Sequence, residues 1–381
     1  MPLPQRADSR HDQPYLIAAA CARPLAASAR RAGVRAAVLD FFADADTETL
    51  GFPCRRVAPP GGLRFDVAAL VSAADELSPA GERAGVVCGS GFERVPELIS
   101  EISAGRRLLG NPPALVDQAK DPSRFFPLLD ALRIPHPPVS LTAPANPEGW
   151  LAKRRGGAGG IGVVPASRAT GERDEYYQRL ERGRSLSALF LADGYRALLV
   201  GFNESHVRPL AGAPFLYGGG VGGIRLSPAM EQEISSALQR LTAATGLVGL
   251  NGLDFLLRED GWSALELNPR PTASMEYYDE DWRWGLFAAH VEACAGQLPA
   301  ARPASRSCRG HAIAYAPRTL AVGPDVRFPE WCRDLPRPGS LISAEGPVCT
   351  VHAEAATPTA VNRLLARRRA DIETTLLEQT P

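Results

Sequence analysis

The chain has 381 residues, of which 45% are hydrophobic and 22% charged, and its 42 acidic residues balance its 42 basic ones. That length buries a sizeable core and suggests two or three domains, while the charge balance gives no footing for nucleic acid or an anionic membrane surface. Seven scattered cysteines without a close pair argue against a cysteine zinc site and a disulfide framework, and favour a reduced, cytoplasmic setting.

Arg6 and Arg10 ahead of the apolar run 15–21 loosely mimic a signal peptide, but the run is short and leads into a segment that reads as a helix capped by Gly33. No stretch approaches the ~20 apolar residues needed to span a bilayer. Residues 15–20, 36–39 and 84–88 are strand-like, and 24–32 and 95–104 helix-like. That alternation predicts a small parallel α/β domain over residues 1–111, closed by the breakers Gly110-Asn111-Pro112-Pro113. A second domain, 112–298, begins with a helix over 115–132 and a proline-rich stretch. It continues with a strand at 150–154, a glycine loop, a strand at 161–165 and a mixed region. Residues 299–381 read as a β-rich module with a capping helix over 358–377, so the fold class is α/β throughout.

Of the 42 basic residues only Lys120 and Lys153 are lysine. Lysine is a compact point charge and arginine a planar fork, so a chain that uses arginine elsewhere keeps lysine where a phosphate oxygen must be reached down a narrow channel. Lys153 directly precedes the loop 154–162, in which Gly157, Gly159 and Gly160 let backbone amides approach an anion. The loop has the letters of a dinucleotide fingerprint, but it is followed by the β-like Ile161-Gly162-Val163-Val164-Pro165 instead of a helix. Neither lysine ends a P-loop string. A strand–loop–strand flap lying over phosphates fits better.

Residues 252–270 read as two strands around Glu259-Asp260-Gly261. A three-residue turn pairs Arg258 with Trp262 and Asp254 with Glu266. It puts Asp254, Glu266 and Asn268 on one face, and Leu253, Phe255, Leu257, Leu265 and Leu267 on the other. A two-residue turn would shift the register and move Asp254 off the carboxylate face. Facing carboxylates with an amide oxygen form a hard-oxygen set suited to Mg²⁺.

Lys120, Lys153 with its flap, Asp254 and Glu266-x-Asn268-x-Arg270 stand in the order and spacing of the ATP-grasp superfamily, which the chain resembles over roughly residues 112–295. Gly89-Ser90-Gly91-Phe92-Glu93, Leu109-Gly110-Asn111, Asn251-Gly252-Leu253-Asp254 and residues 268–275 resemble one branch, the ATP-dependent carboligases associated with methanopterin- and methanofuran-type one-carbon coenzyme pathways. The resemblance implies an α+β ATP-grasp domain behind a small parallel α/β domain. It implies ATP with two Mg²⁺ ions, or Mn²⁺ in their place, and small-molecule carboxylate and amine substrates, with a homodimer left open. Lys120 and Lys153 would contact the phosphates. Tyr177, Gln178 and Leu180 would lie on the strand that reads adenine, and Glu181 would face the ribose. Asp254, Glu266 and Asn268 would hold the metal, and Arg270 would steady the transferred phosphoryl group. Arg179 departs from the pattern, standing where that strand often carries an acid.

The implied activity is an amide-forming carboxylate–amine ligase working through an acyl phosphate, with glutamate and a tyramine- or pterin-type acceptor as first substrates to test. Arg23, Ser90, Glu93 and Ser274 are candidates for the acyl pocket. Two other readings are a bicarbonate-using carboxylase component, which would need biotin on a separate carrier because both lysines are taken, and a nucleotide-binding protein without turnover.

Overall fold

The computed structural model describes residues 14–59, 63–79, 85–210 and 212–378. Arg6, Arg10 and Ala84 lie outside them. The N-terminal part is a parallel sheet in the spatial order Cys54–Arg56, Ala36–Asp40, Tyr15–Ala19, Gly85–Cys88, Arg107–Leu108. Because both faces are covered, its central strands are apolar except at Asp40, whose buried carboxylate accepts the Ala22, Phe42 and Ala43 amides at a strand end. Ile17, Val38 and Val87 face the helix Arg23–Arg31 through Leu25, Ala26 and Ala29. Leu16, Leu39 and Val86 face Leu70 of the helix Val67–Leu77 and Ile99 and Ile102 of the helix Glu97–Ser103. Three of these elements match the strands read from sequence to within a residue at each described end. The helix Val67–Leu77, capped by Asp66, was not foreseen.

The expected helix over 115–132 is two helices, Pro113–Lys120 and Pro122–Ala131. Proline disfavours a helical residue before it, and Asp121 is accordingly extended, with its side chain accepting the Ser123 amide as the second helix's N-cap. The break leaves Lys120 at a helix end. A small antiparallel sheet follows, ordered Val139–Ser140, Glu175–Arg179, Trp150–Arg154, Val164–Pro165. The last strand is shorter than the 161–165 expected, because Gly160 and Gly162 take positive φ and keep the loop open.

The central element is an antiparallel eight-stranded sheet. Its order is Gly261–Asn268, Val248–Arg258, Arg184–Asp193, Ala197–Val207, Tyr217–Ile224, Cys308–Tyr315, Pro347–Ala355, Cys332–Arg333. Strands after residue 299 therefore extend the same sheet as those before it. One face packs Leu186, Ala188 and Phe190 against Leu238 and Leu241 of the helix Pro228–Thr245, and Val351 against Val361 and Leu365 of the terminal helix Pro358–Glu378. The other face places Leu189, Leu191 and Leu250 on Leu286 and Phe287 of the helix Gly285–Cys294, which in turn meets the N-terminal helix Arg23–Arg31.

The hairpin 248–268 departs from expectation in an instructive way. Its turn has two residues, with Arg258 opposite Gly261 and Leu257 opposite Trp262. The register then skips one residue, Leu265, between the pairs Phe255–Ala264 and Asp254–Glu266. A bulge shifts side-chain alternation by one. Asp254 and Glu266 thus stay opposite each other despite the shorter turn. Leu265 leaves the apolar face assigned to it, and Ala264 and Trp262 fill that face against Phe255.

Candidate functional site

The helix Pro113–Lys120 and the small sheet bring the two lysines to the carboxylate face of the hairpin, Lys120 in contact with it and Lys153 within reach of its charge. Lys120, buried at its helix end, donates to Glu266 Oε1 and, at 2.9 Å, to Asn268 Oδ1. Asn268 Nδ2 in turn donates to Asp254 Oδ2 at 3.0 Å. Lys153 projects from its strand to Gln178 Oε1 at 3.1 Å and lies 5.8 Å from the centroid of the Tyr176 ring. Burial opposes the charge of Lys153, but Tyr176 and Glu266 outweigh it and raise its pKa. The carboxylates are pushed apart. Burial and the neighbouring Glu266 lift Asp254 to about 6, whereas the two lysines override burial and hold Glu266 below the ordinary carboxylate range.

Arg270 stands on the N-terminal side of this cluster and makes an ion pair with Glu93, which is 5% exposed and also accepts the Gly91 amide at 2.7 Å. Burial works against ionisation of Glu93, but Arg270 and Lys120 outweigh it and lower its pKa. The N-terminal part thus contributes a carboxylate to the site. The flap lies closed over it on a backbone bond, Tyr217 N donating to Gly159 O at 2.8 Å. A Cβ at Gly160 would come within 1.9 Å of Phe215 O, so this close approach admits only glycine. Arg155 ties the flap's base to the helix Pro113–Lys120 through Asp117 at 2.5 Å.

The residues expected at adenine lie on the strand Glu175–Arg179 and the link to the next sheet. Tyr177 packs on Ala152 and Ala166. The Arg179 and Leu180 amides are already committed to Pro138 O and Gly149 O, and Glu181 accepts from Arg258 at 2.6 Å. The free group here is a side chain, the Gln178 Nε2, buried without a partner beside Lys153. Of the acyl-pocket candidates, Glu93 lies against Arg270 and Ser274 bonds Thr272, whereas Arg23 belongs to a separate polar cluster with Glu276 and Asp334.

Sequence reasoning missed what holds the site to the N-terminal sheet. The Asn111 side chain takes the Val248 amide at 2.9 Å and donates to Asn251 Oδ1 at 2.8 Å and Pro269 O at 2.9 Å. His290 accepts the Leu250 amide and meets Leu109 O at 3.0 Å. Position in a domain-closing breaker cluster was the available signal for Asn111. His290 gave none.

A model of the ATP-grasp domain matches residues 123–274, which include the flap, Asp254, Glu266, Asn268 and Arg270. Over this stretch, less than half of its length, the chain is similar to an ATP-grasp domain. Carbamoyl phosphate synthase large chains are similar to the chain as well. The Rubrobacter xylanophilus protein is 28% identical over 221 residues, 51% of this chain and 20% of that one, and the Acidobacterium capsulatum protein 25% over 252 residues. The chain thus spans about a fifth of the length of these curated relatives. Among solved structures, the biotin carboxylase domain of Hydrogenobacter thermophilus 2-oxoglutarate carboxylase aligns with a TM-score of 0.69 at 14% identity, covering 96% of this chain and 90% of that one. N5-carboxyaminoimidazole ribonucleotide synthetase from Thermus thermophilus aligns at 0.66 and 20% identity, covering 93% and 97%. The shared architecture takes in the regions before and after the matched stretch. No helix among the described residues is long and apolar enough to cross a membrane.

Proposed function

We propose that this chain is an ATP-dependent carboxylate–amine ligase. The observation that carries the reading is Lys120 bonded to Glu266 and Asn268 on the Asp254–Glu266–Asn268 face, with Lys153 on Gln178 close enough to feel the charge of Glu266 and Asp254, under a closed glycine flap. The donor set of two carboxylates and an amide oxygen suits Mg²⁺, and the orphaned Gln178 Nε2 beside Lys153 suits an acceptor on a bound nucleotide. Asp254, Glu266 and Asn268 would hold the metal, Lys120 and Lys153 the phosphates, and Tyr177, Gln178, Leu180 and Glu181 would line the nucleoside end. ATP would supply the phosphoryl group. The carboxylate substrate's oxygen would attack the γ-phosphorus as ADP leaves, and an amine would then displace phosphate from the acyl phosphate to give an amide. The protein's part is to orient the reactants, neutralise charge with Lys153 and Arg270, and exclude water with the flap. By resemblance we assign the amide to one-carbon coenzyme biosynthesis, with glutamate as the first acyl substrate to test. We divide the chain at residues 111 and 298, and place the protein in the cytoplasm.

A carboxylase reading has its own support in the likeness to biotin carboxylase and carboxyaminoimidazole ribonucleotide synthetase folds. ADP release by the purified chain, scanned over pairs of amino acids and amines and over bicarbonate, separates the two. Turnover requiring both a carboxylate and an amine supports the ligase. Release with bicarbonate that no amine–carboxylate pair exceeds would replace it with the carboxylase.

A further inference from the structure

A second group of ligand-type side chains lies away from the hairpin, where the N-terminal helix, the 3₁₀ turn Ala273–Tyr277 and the strands after residue 299 meet. We propose that Glu276, His311 and His352 form a transition-metal site, with Zn²⁺ the best-suited ion. One ligand atom from each residue lies within 4.8 Å of the others. His311 Nδ1 and His352 Nε2 are buried with no hydrogen-bond partner, which is costly for imidazole nitrogens unless something binds between them. His311 Nδ1 is 3.9 Å from Glu276 Oε2, too long for a hydrogen bond. Ligands on a tetrahedral zinc with bonds of about 2.0–2.1 Å stand roughly 3.3 Å apart, so the set closes on an ion by drawing its ligand atoms together by up to about 1.5 Å.

The surroundings support a cation. The Arg23 guanidinium faces three carboxylates, Glu276 at 2.7 Å, Asp334 at 2.6 Å and Asp46 at 3.7 Å, leaving a formal excess of two negative charges that a divalent ion would balance. Arg23 orients Glu276 through both carboxylate oxygens, each of which keeps a further lone pair. The far nitrogen of His311 bonds Tyr217 Oη at 3.0 Å, the outer hydrogen bond that fixes the ring of a metal-ligating histidine. Three nitrogen and oxygen ligands leave a fourth position open to water or a substrate group. Tyr217 is also the residue whose amide holds the flap at Gly159, so the site adjoins the cleft on its C-terminal side.

The test strips the full chain with a chelator and titrates it, without nucleotide, with Zn²⁺ and separately with Co²⁺. We expect one Zn²⁺ retained per chain and the intense visible absorption of four-coordinate Co²⁺. His311→Ala and His352→Ala should each weaken binding at least about a hundredfold, while Asp254→Asn should leave it unchanged. X-ray absorption of the wild-type zinc protein should find two imidazoles on the metal, a result that does not depend on how the variants fold. No retained ion, retention undiminished in both histidine variants, loss in Asp254→Asn, or fewer than two imidazoles would each overturn the assignment.

Discussion

Lys153 ends in a slot between Gln178 and the Tyr176 ring, with Glu266 close enough to raise its pKa. A guanidinium is a planar fork that spreads its charge, where the ammonium of Lys153 is a compact point charge. Lys153→Arg keeps the charge, yet it is expected to lower kcat/KM for ATP at least tenfold, about 1.4 kcal/mol of transition-state stabilisation. Steady-state ADP release checks this, and wild-type-like turnover would reduce the scarcity of lysine to an accident of composition. At this scale the charged residues were legible because each stands out against its background, two lysines among forty arginines and two acids on the otherwise apolar strands of a hairpin. Gln178 was read only for its backbone. Its importance lies in an orphaned side-chain amide, which depends on what the fold stacks around it.

The hairpin shows how an element can satisfy a pattern by another route. Sequence alternation demanded that Asp254 face Glu266, and the inferred three-residue turn was one way to meet that demand. The chain instead uses a two-residue turn and inserts Leu265 as an unpaired residue. A bulge leaves little mark on sequence, because it changes the register without changing composition. It also alters the expected effect of an insertion or deletion. Deleting Leu265 removes the residue that the register skips, so Mn²⁺ binding should persist, within about tenfold of wild type. Inserting one alanine after Leu265 would turn Glu266 and Asn268 toward the core face, and binding should be lost. Electron paramagnetic resonance of Mn²⁺ reads both variants, and equal behaviour of the two would sink the register argument. The break at Asp121-Pro122 was, by contrast, written plainly in the sequence, and a helix-wide apolar pattern obscured it.

Across the whole molecule, the contacts that join the N-terminal sheet to the hairpin are carried by single buried polar residues far apart in sequence. Nothing local marks Asn111 or His290 as partners of the strand Val248–Arg258. A Cβ at Gly249, where φ is +68°, would come within 2.5 Å of the His290 ring, so this crossing also admits only glycine. Burial lowers the pKa of His290 from 6.5 to about 4. Between those values the unfolded chain binds a proton that the folded chain refuses. The contribution of this imidazole is therefore complete above about pH 6.5 and is lost as pH falls toward 4, by up to about 3 kcal/mol. Urea unfolding at pH 7.5 and pH 5 should show that loss, and His290→Asn should reduce it, leaving the part that the similarly lowered His352 contributes. An unchanged pH slope in the variant would remove His290 as the cause. The strands after residue 299 were expected, but their place was equally hidden, since their pairing with Tyr217–Ile224 closes a chain interval too long for any sequence pattern to span.

The arginine-for-lysine economy has a practical side. A protease that cuts only after lysine has two sites in the chain, and its limit fragments are residues 1–120, 121–153 and 154–381. One site closes a helix whose lysine is buried, and the other lies within a strand paired on both sides. Such a protease is blind to exposure of the chain's arginines elsewhere. The first cuts it makes on the folded protein should therefore report exposure of these two positions, without any label.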